Sequence, residues 1–319
     1  MIVRLGYVAI TLKLEDATTS SPVTYKRYSG IESETERFEL LKRVTQSNLE
    51  ALIKVLNYNI REDIHFYRLT SKLVPLATHG DVLWNYEDVI KPQCQEIAAI
   101  IRDSNMRVDA HPDQFNVLNS VNPSVIKSSI ETLEHQLDLF RLFELKDGKL
   151  VLHVGGKAGG KDAGLQRFKE TFKILSPELK RALILENDDK TYTAKDVLGL
   201  CQDLNIPMVL DVHHHRCCHD DIPLETMLEA IFKTWDNEVY PPKLHYSTPR
   251  EGGVDRRHAD FIDADDFISF IELAAPFKTN IDMMLEAKQK DLSIYQLVED
   301  IKERRPNWKW LDQTTFECE

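Results

Sequence analysis

Cysteine is scarce in this chain. The five in 319 residues (Cys94, Cys201, Cys217, Cys218 and Cys318) are odd in number and irregular in spacing, which excludes the paired framework of a small secreted domain. Nothing approaches the roughly 18 uncharged apolar residues of a membrane span, so no membrane partner is expected. The opening MIVRLGYVAITLKLED sets Arg4 inside its apolar run and lacks the layout of a cleaved signal, so a reduced cytoplasmic setting is the expectation. Glycine is sparse too, at 12 residues, and GYVAIT lacks the glycine-rich first turn of a doubly wound dinucleotide-binding sheet. Positive charge is in deficit: 40 Lys and Arg against 52 Asp and Glu leave a net charge of −12, which argues against a general nucleic-acid binder. Linkers, repeats and low-complexity tracts are absent.

What remains is an ordinary globular composition, 42% hydrophobic and 29% charged, patterned as alternating strands and helices. Short β-rich runs fall at 3–9, 66–71, 107–112, 150–155, 182–187, 207–214, 243–247 and 282–287. Several are nearly continuous apolar runs, as expected of parallel strands covered on both faces. Between them lie helical patterns near 35–58, 84–104, 163–175, 193–204, 223–234 and 264–274. Two more carry clear apolar stripes: Ile126, Ile130, Leu133, Leu137 and Phe140, then Ile294, Leu297, Val298 and Ile301. Eight strand–helix units predict a single (β/α)8 TIM barrel spanning residues 1–319.

A barrel carries its chemistry at the C-terminal ends of the strands. Those ends supply His79, His111, His153, Glu186, Asp211 with His214, Lys243 with His245, His258 from the following loop, and Glu286. Taken singly, each has a bland reading as a core histidine or half of an ion pair. Jointly, three carboxylates in one mouth without cations would cost several kcal/mol each, roughly, in desolvation and repulsion. Imidazoles and carboxylates without thiolates favour divalent metal of the Zn, Mn or Fe type, and so many donors call for two or three ions. Strand parity places Lys243 and His245 on one face and pairs Asp211 with His213. His214 reaches the same site only if the strand ends near Val212 and turns.

Two motifs are weaker. GGKAGGKD (155–162) is one residue short of a phosphate-binding loop, with Asp162 where a metal-binding hydroxyl belongs, so no nucleotide cofactor is expected. HHHRCCH (213–219) suggests structural zinc, but adjacent Cys217 and Cys218 lack the usual spacer. His135, off the apolar stripe of its helix, reads as a solvated surface residue, and His65 as a turn residue.

The strand motifs RLGY (4–7), RLTSKLVPLATH (68–79), HPDQF (111–115), LHVGG (152–156), LEND (185–188), LDVHH (210–214), KLHYS (243–247) and RHADFI (257–262) resemble, in order along nearly the whole chain, the UV damage endonucleases, which are related in fold to endonuclease IV. The resemblance implies a TIM barrel with up to three divalent ions, usually Mn2+, with Zn2+ or Mg2+ as alternatives. It implies a phosphodiester hydrolase that nicks damaged double-stranded DNA 5′ to cyclobutane pyrimidine dimers and 6-4 photoproducts, leaving a 3′-hydroxyl. Its metal ligands would be His79, His111, His153, Glu186, Asp211, His214, His245, His258 and Glu286. Glu186 and Glu286 would bridge ions or orient water, and Lys243 would be a lysine that can be carboxylated. Gln114 and Phe115 match a pair inserted at the lesion, with Phe where relatives more often carry Tyr. Tyr7 matches an aromatic lining the damage pocket, although the VAIT that follows departs from the family's polar version.

DNA binding by so acidic a chain requires a basic mouth on an acidic body. Arg250, Arg256 and Arg257 flank His258, while Lys157 and Lys161 follow His153, and all five are expected on one face. Monomeric action is expected. The rival readings are an abasic-site endonuclease, a metal-dependent sugar isomerase on the same barrel, and a damage-binding module without turnover.

Overall fold

The computed structural model describes residues 1–319. Ten strands form one sheet: β1 Ile2–Tyr7, β2 Phe66–Leu69, β3 Arg107–Ala110, β4 Leu150–His153, β5 Leu183–Glu186, β6 Met208–Asp211, β7 Lys243–Tyr246, β8 Ile281–Leu285, β9 Lys309–Trp310 and β10 Thr315–Glu317. Their order is β2-β3-β4-β5-β6-β7-β8-β1-β10-β9, with every pairing from β2 through β8 to β1 parallel. The first eight strands and the helices between them make the TIM-barrel fold. β1 and β2 lie side by side without a ladder between them. A Cβ on Gly6 would stand 2.5 Å from the Phe66 ring, so the missing side chain lets the two strands approach. No helix is long and apolar enough to cross a membrane.

The helices follow the apolar stripes. Glu34–Arg61 starts at Ser33, whose hydroxyl accepts the Glu36 N–H, and Pro123–Leu142 starts at Asn122 with proline in its first turn. Ala194–Leu204 opens on a reciprocal capping box between Thr193 and Asp196. The main core is a shell of 73 buried residues between strands and helices. A smaller cluster of Val151, Ile184, Val209 and Trp235 lies apart from it. Three features depart from the sequence expectations. The β9–β10 hairpin is new, its strands too short to show a periodicity, and β10 pairs antiparallel with β1. His135 is buried, not solvated: its Nδ1 lies 2.7 Å from the Tyr86 hydroxyl, a contact made off the helix's own stripe. β6 stops at Asp211, and a short helix, Val212–Cys217, begins at once.

Candidate metal centre

That early stop builds one corner of the site. The Asp211 carboxylate accepts the His214 N–H at 2.7 Å as the cap of the short helix, turning the chain back over the barrel. The turn removes the parity objection to His214. The Asn187 side chain, just past β5, donates to the Asp211 carbonyl and accepts the Asp211 N–H, both at 2.9 Å, which replaces the ladder where β5 and β6 part.

Glu186 is the hub. Its Oε2 lies 3.0 Å from His111 Nε2 and 3.5 Å from His153 Nε2, and its Oε1 lies 2.8 Å from His245 Nδ1 and 3.7 Å from His214 Nδ1. Three overlapping donor groups result: His111, His153 and Glu186; Glu186, Asp211 and His214; Asp211, His245 and Glu286. Backbone carbonyls fix several of the rings. His111 Nδ1 lies 2.9 Å from the Pro112 oxygen, His214 Nδ1 2.9 Å from that of Asn187, and His258 Nδ1 2.7 Å from that of Glu286. A carbonyl only accepts, so each Nδ1 carries a proton and Nε2 is the nitrogen a metal would take in place of its own proton, the orientation of metal-ligating histidines.

The electrostatics show how the site distributes its charge. Burial alone would raise Glu186, but His245, His153 and the hydrogen bond from His111 hold its carboxyl well below the usual range. Burial, with Glu186 and Glu286 nearby, raises Asp211, while burial lowers His111 toward the neutral, ligating form. His214 is lowered by burial but carried by Asp211, Glu186 and Glu286 up to about 9, so a metal ion binding there would have to displace its proton. Asp211 Oδ2, His245 Nε2 and His153 Nδ1 are buried without a protein hydrogen-bond partner. Orphaned atoms of this kind, in a donor set free of thiolates, fit divalent metal ions.

Seven of the nine expected ligands thus converge. His258 stands at the edge, braced by Glu286 with its ring 4.9 Å from that of buried His213. His79 is elsewhere: its ring stacks on Tyr25 at 4.2 Å, and it lines a different pocket with Pro22, Val23 and His135. Lys243 is engaged by a carboxylate outside the donor groups. It begins β7, two residues before His245, and its Nζ lies 2.5 Å from Asp109 Oδ2. Tyr7 does not line an open pocket. Val3, Leu5 and Tyr7 face the helices, and the Tyr7 hydroxyl donates to Asn59 of Glu34–Arg61 at 2.8 Å, because Arg4 and Gly6 take the other face of β1. Cys217, Cys218, His215 and His219 form no donor group.

Gln114 and Phe115 sit on the loop after β3. Asp113 accepts the Phe115 N–H and the Asn116 side-chain amide, and the turn leaves the phenyl ring 76% exposed. The expected cations are more neutralised than their number suggests. Arg256 pairs with Asp189, Arg257 with Asp255 and Glu251, and Lys161 with Asp196, whereas exposed Lys157 and Arg250 have no acidic partner. Asn187 and Arg68 join the site without having been expected there from the sequence. Arg68, in RLTSK, donates to Glu286 Oε1 at 2.6 Å. Its signal was parity, since Phe66 and Arg68 share a face of β2.

Fold and site define a class, the TIM barrels with a multi-donor metal site at the mouth. Residues 3–309 match the family described as UV-endonuclease UvdE. The UV DNA damage endonuclease of Bacillus cereus (strain B4264) is 38% identical over 302 residues, covering 94% of this chain and 95% of that protein. That of Bacillus mycoides (strain KBAB4) is 38% identical over 299 residues, covering 93% and 94%. The crystal structure of SacUVDE superposes with a TM-score of 0.84 at 31% identity over 95% of this chain and 99% of that one. Endonuclease IV from Thermus thermophilus, with a TM-score of 0.57 at 14% identity over 79% of this chain and 94% of that one, shares the fold. The chain belongs to the UV damage endonuclease family.

Proposed function

We propose that this protein is a metal-dependent endonuclease that nicks duplex DNA immediately 5′ to cyclobutane pyrimidine dimers and 6-4 photoproducts, leaving a 3′-hydroxyl. The observation that carries the reading is the ring of four imidazoles around buried, charged Glu186. Two or three ions, Mn2+ first and Zn2+ or Mg2+ as alternatives, would be held by the three donor groups, with His258 as a further ligand and His79 as another only once it leaves Tyr25. When bound, they would supply Lewis acidity toward the scissile phosphate and acidify water. Glu186, held ionised, would be the carboxylate to hold more than one ion, and Arg68 would fix the orientation of Glu286. Lys243, which burial lowers to about 8, is close enough to neutral for the carboxylation the family suggests. Damaged bases are already poorly stacked, so extruding them costs less than flipping intact ones, and Gln114 with exposed Phe115 would fill the vacated space. Lys157, Lys161, Arg250, Arg256 and Arg257 would meet backbone phosphates. The chain would act in the cytoplasm as a monomer, residues 1–319 forming one domain.

The test is incision of a duplex carrying one thymine dimer by metal-stripped protein, with Mn2+, Zn2+ or Mg2+ restored, beside a duplex carrying one abasic site. A nick 5′ to the dimer only when metal is returned is the expected result. Cleavage confined to the abasic duplex would reassign the protein to abasic-site repair. Binding of the dimer duplex without a nick under every metal would overturn the enzymatic reading.

A further inference from the structure

Beside Glu286 and His258 opens a cavity of about 360 Å³ lined by Val8, Arg68, Arg257, His258, Glu286, Lys288 and Lys290. Four cations and one carboxylate therefore line it; that carboxylate is engaged by Arg68, and Arg257 is paired with Glu251 and Asp255, which leaves Lys288 and Lys290. Arg68 uses only Nη1 in this contact, and its Nε and Nη2 make no hydrogen bond to protein. Lys288 and Lys290 have no carboxylate within 4.0 Å, unlike Lys161, Lys169, Lys173 and Lys233, which are all paired. The segment bearing the two lysines is held in place: the backbone N–H groups of Lys288 and Gln289 donate to the Ala259 and Asp260 carbonyls, both at 3.0 Å, on the same loop as His258. Uncompensated cations, held on a fixed segment against the metal donors, make an anion site whose ligand carries negative charge of its own.

We infer that this cavity is a phosphate subsite that takes a backbone phosphate of the duplex neighbouring the one being cut, with Lys288 and Lys290 as its principal cations. Val8 offers the only apolar wall, suited to a deoxyribose face. The inference rests on the nuclease reading above and adds residues to it. Ammonium groups suit this task because a phosphate contacted for position needs point charge and no base recognition.

The experiment compares wild type, Lys288→Gln/Lys290→Gln, and a control, Lys146→Gln/Lys278→Gln, which removes the same charge from exposed positions on segments that precede β4 and β8. Affinity for a thymine-dimer duplex is measured across salt, alongside metal content and thermal melting. Losing two phosphate contacts should flatten the slope of log affinity against log salt by about 1.8. The deficit of the variant should therefore shrink about tenfold between about 50 and about 200 mM salt. Melting and metal content should match wild type, and the control should keep the wild-type slope. A lysine variant with the wild-type slope, or a control that flattens equally, would overturn the subsite while leaving the nuclease reading intact. A wild type that does not bind the dimer duplex would instead remove the nuclease reading itself.

Discussion

Arg107, Asp109, Lys243 and Asp282, toward the start of the barrel strands, close on one another. Arg107 donates to Asp109 at 2.8 Å and to Asp282 at 2.9 Å, Lys243 meets Asp109, and Arg4 grips Asp282 through two hydrogen bonds. The Arg107 guanidinium also lies over the rings of Trp235 and Tyr240. One pleat higher, Glu186, Asp211 and Glu286 have a single guanidinium within ion-pair distance, that of Arg68, among imidazoles whose orientation favours metal. The lower layer has three cations paired to two carboxylates, and the upper has three carboxylates with one permanent cation in contact. Burial penalises both layers. The lower layer offsets that cost with its own side chains, whereas the upper leaves its balance to ions from solution.

Breaking the upper layer should have the larger effect. Glu186→Gln should lower nicking by about a thousandfold, with metal content falling and binding of the lesion duplex retained, as read by incision, metal analysis and gel shift. Equal loss of binding would mean that Glu186 serves the fold. Breaking the lower layer should cost stability first: Arg107→Met takes one partner from each of buried Asp109 and Asp282, leaving them to Lys243 and Arg4, and should lose about 3 kcal/mol in denaturant melts. Metal bound per folded molecule should not change, and a drop would show that the two layers act as one.

The rim gives a smaller effect. Gln114→Ala with Phe115→Ala should reduce the preference for damaged over intact duplex about tenfold while metal content holds, since base–aromatic stacking contributes roughly 1–3 kcal/mol. Unchanged discrimination would return Phe115 to the ordinary exposed surface. The smallest effect is a pH slope. Burial takes Lys243 from 10.5 to about 8 against the pull of Asp109, so between those values the unfolded chain binds more protons than the folded one. Unfolding free energy should thus rise with pH from about 8 toward 10, by up to about 1 kcal/mol per unit. The cost is fully present below that window. Lys243→Met should remove the rise, and a slope that persists would place its origin in another group.

The upper layer was legible in the sequence because its residues end strands, and strand ends in this architecture face one opening. The choice between His213 and His214 was not, because it depended on Asp211 capping a helix one residue earlier than an extended strand allows. The lower layer was hidden for the opposite reason. Arg107, Asp109 and Asp282 look like solvent-facing charges until the barrel closes around them. Tyr7 shows the limit of carrying a role over by motif, since one step of strand parity separates a pocket wall from a contact with a helix. His135 was misread because its partner, Tyr86, lies 49 residues away in sequence.

The gap between β1 and β2 bears on the donor that stands apart. Everywhere else around the barrel, separating neighbouring strands would break backbone hydrogen bonds. At this one joint it would disturb side-chain contacts: Gly6 against Phe66, the edge contact of the Tyr7 and Tyr67 rings, and the hydrogen bond from the Tyr67 hydroxyl to the Ala9 carbonyl. The chain leaving β2 at that joint runs to His79. Slackness in a single stave would therefore be felt first by the imidazole now resting on Tyr25, whose swing inward would unmake one stacked pair and leave the ladders on every other side untouched.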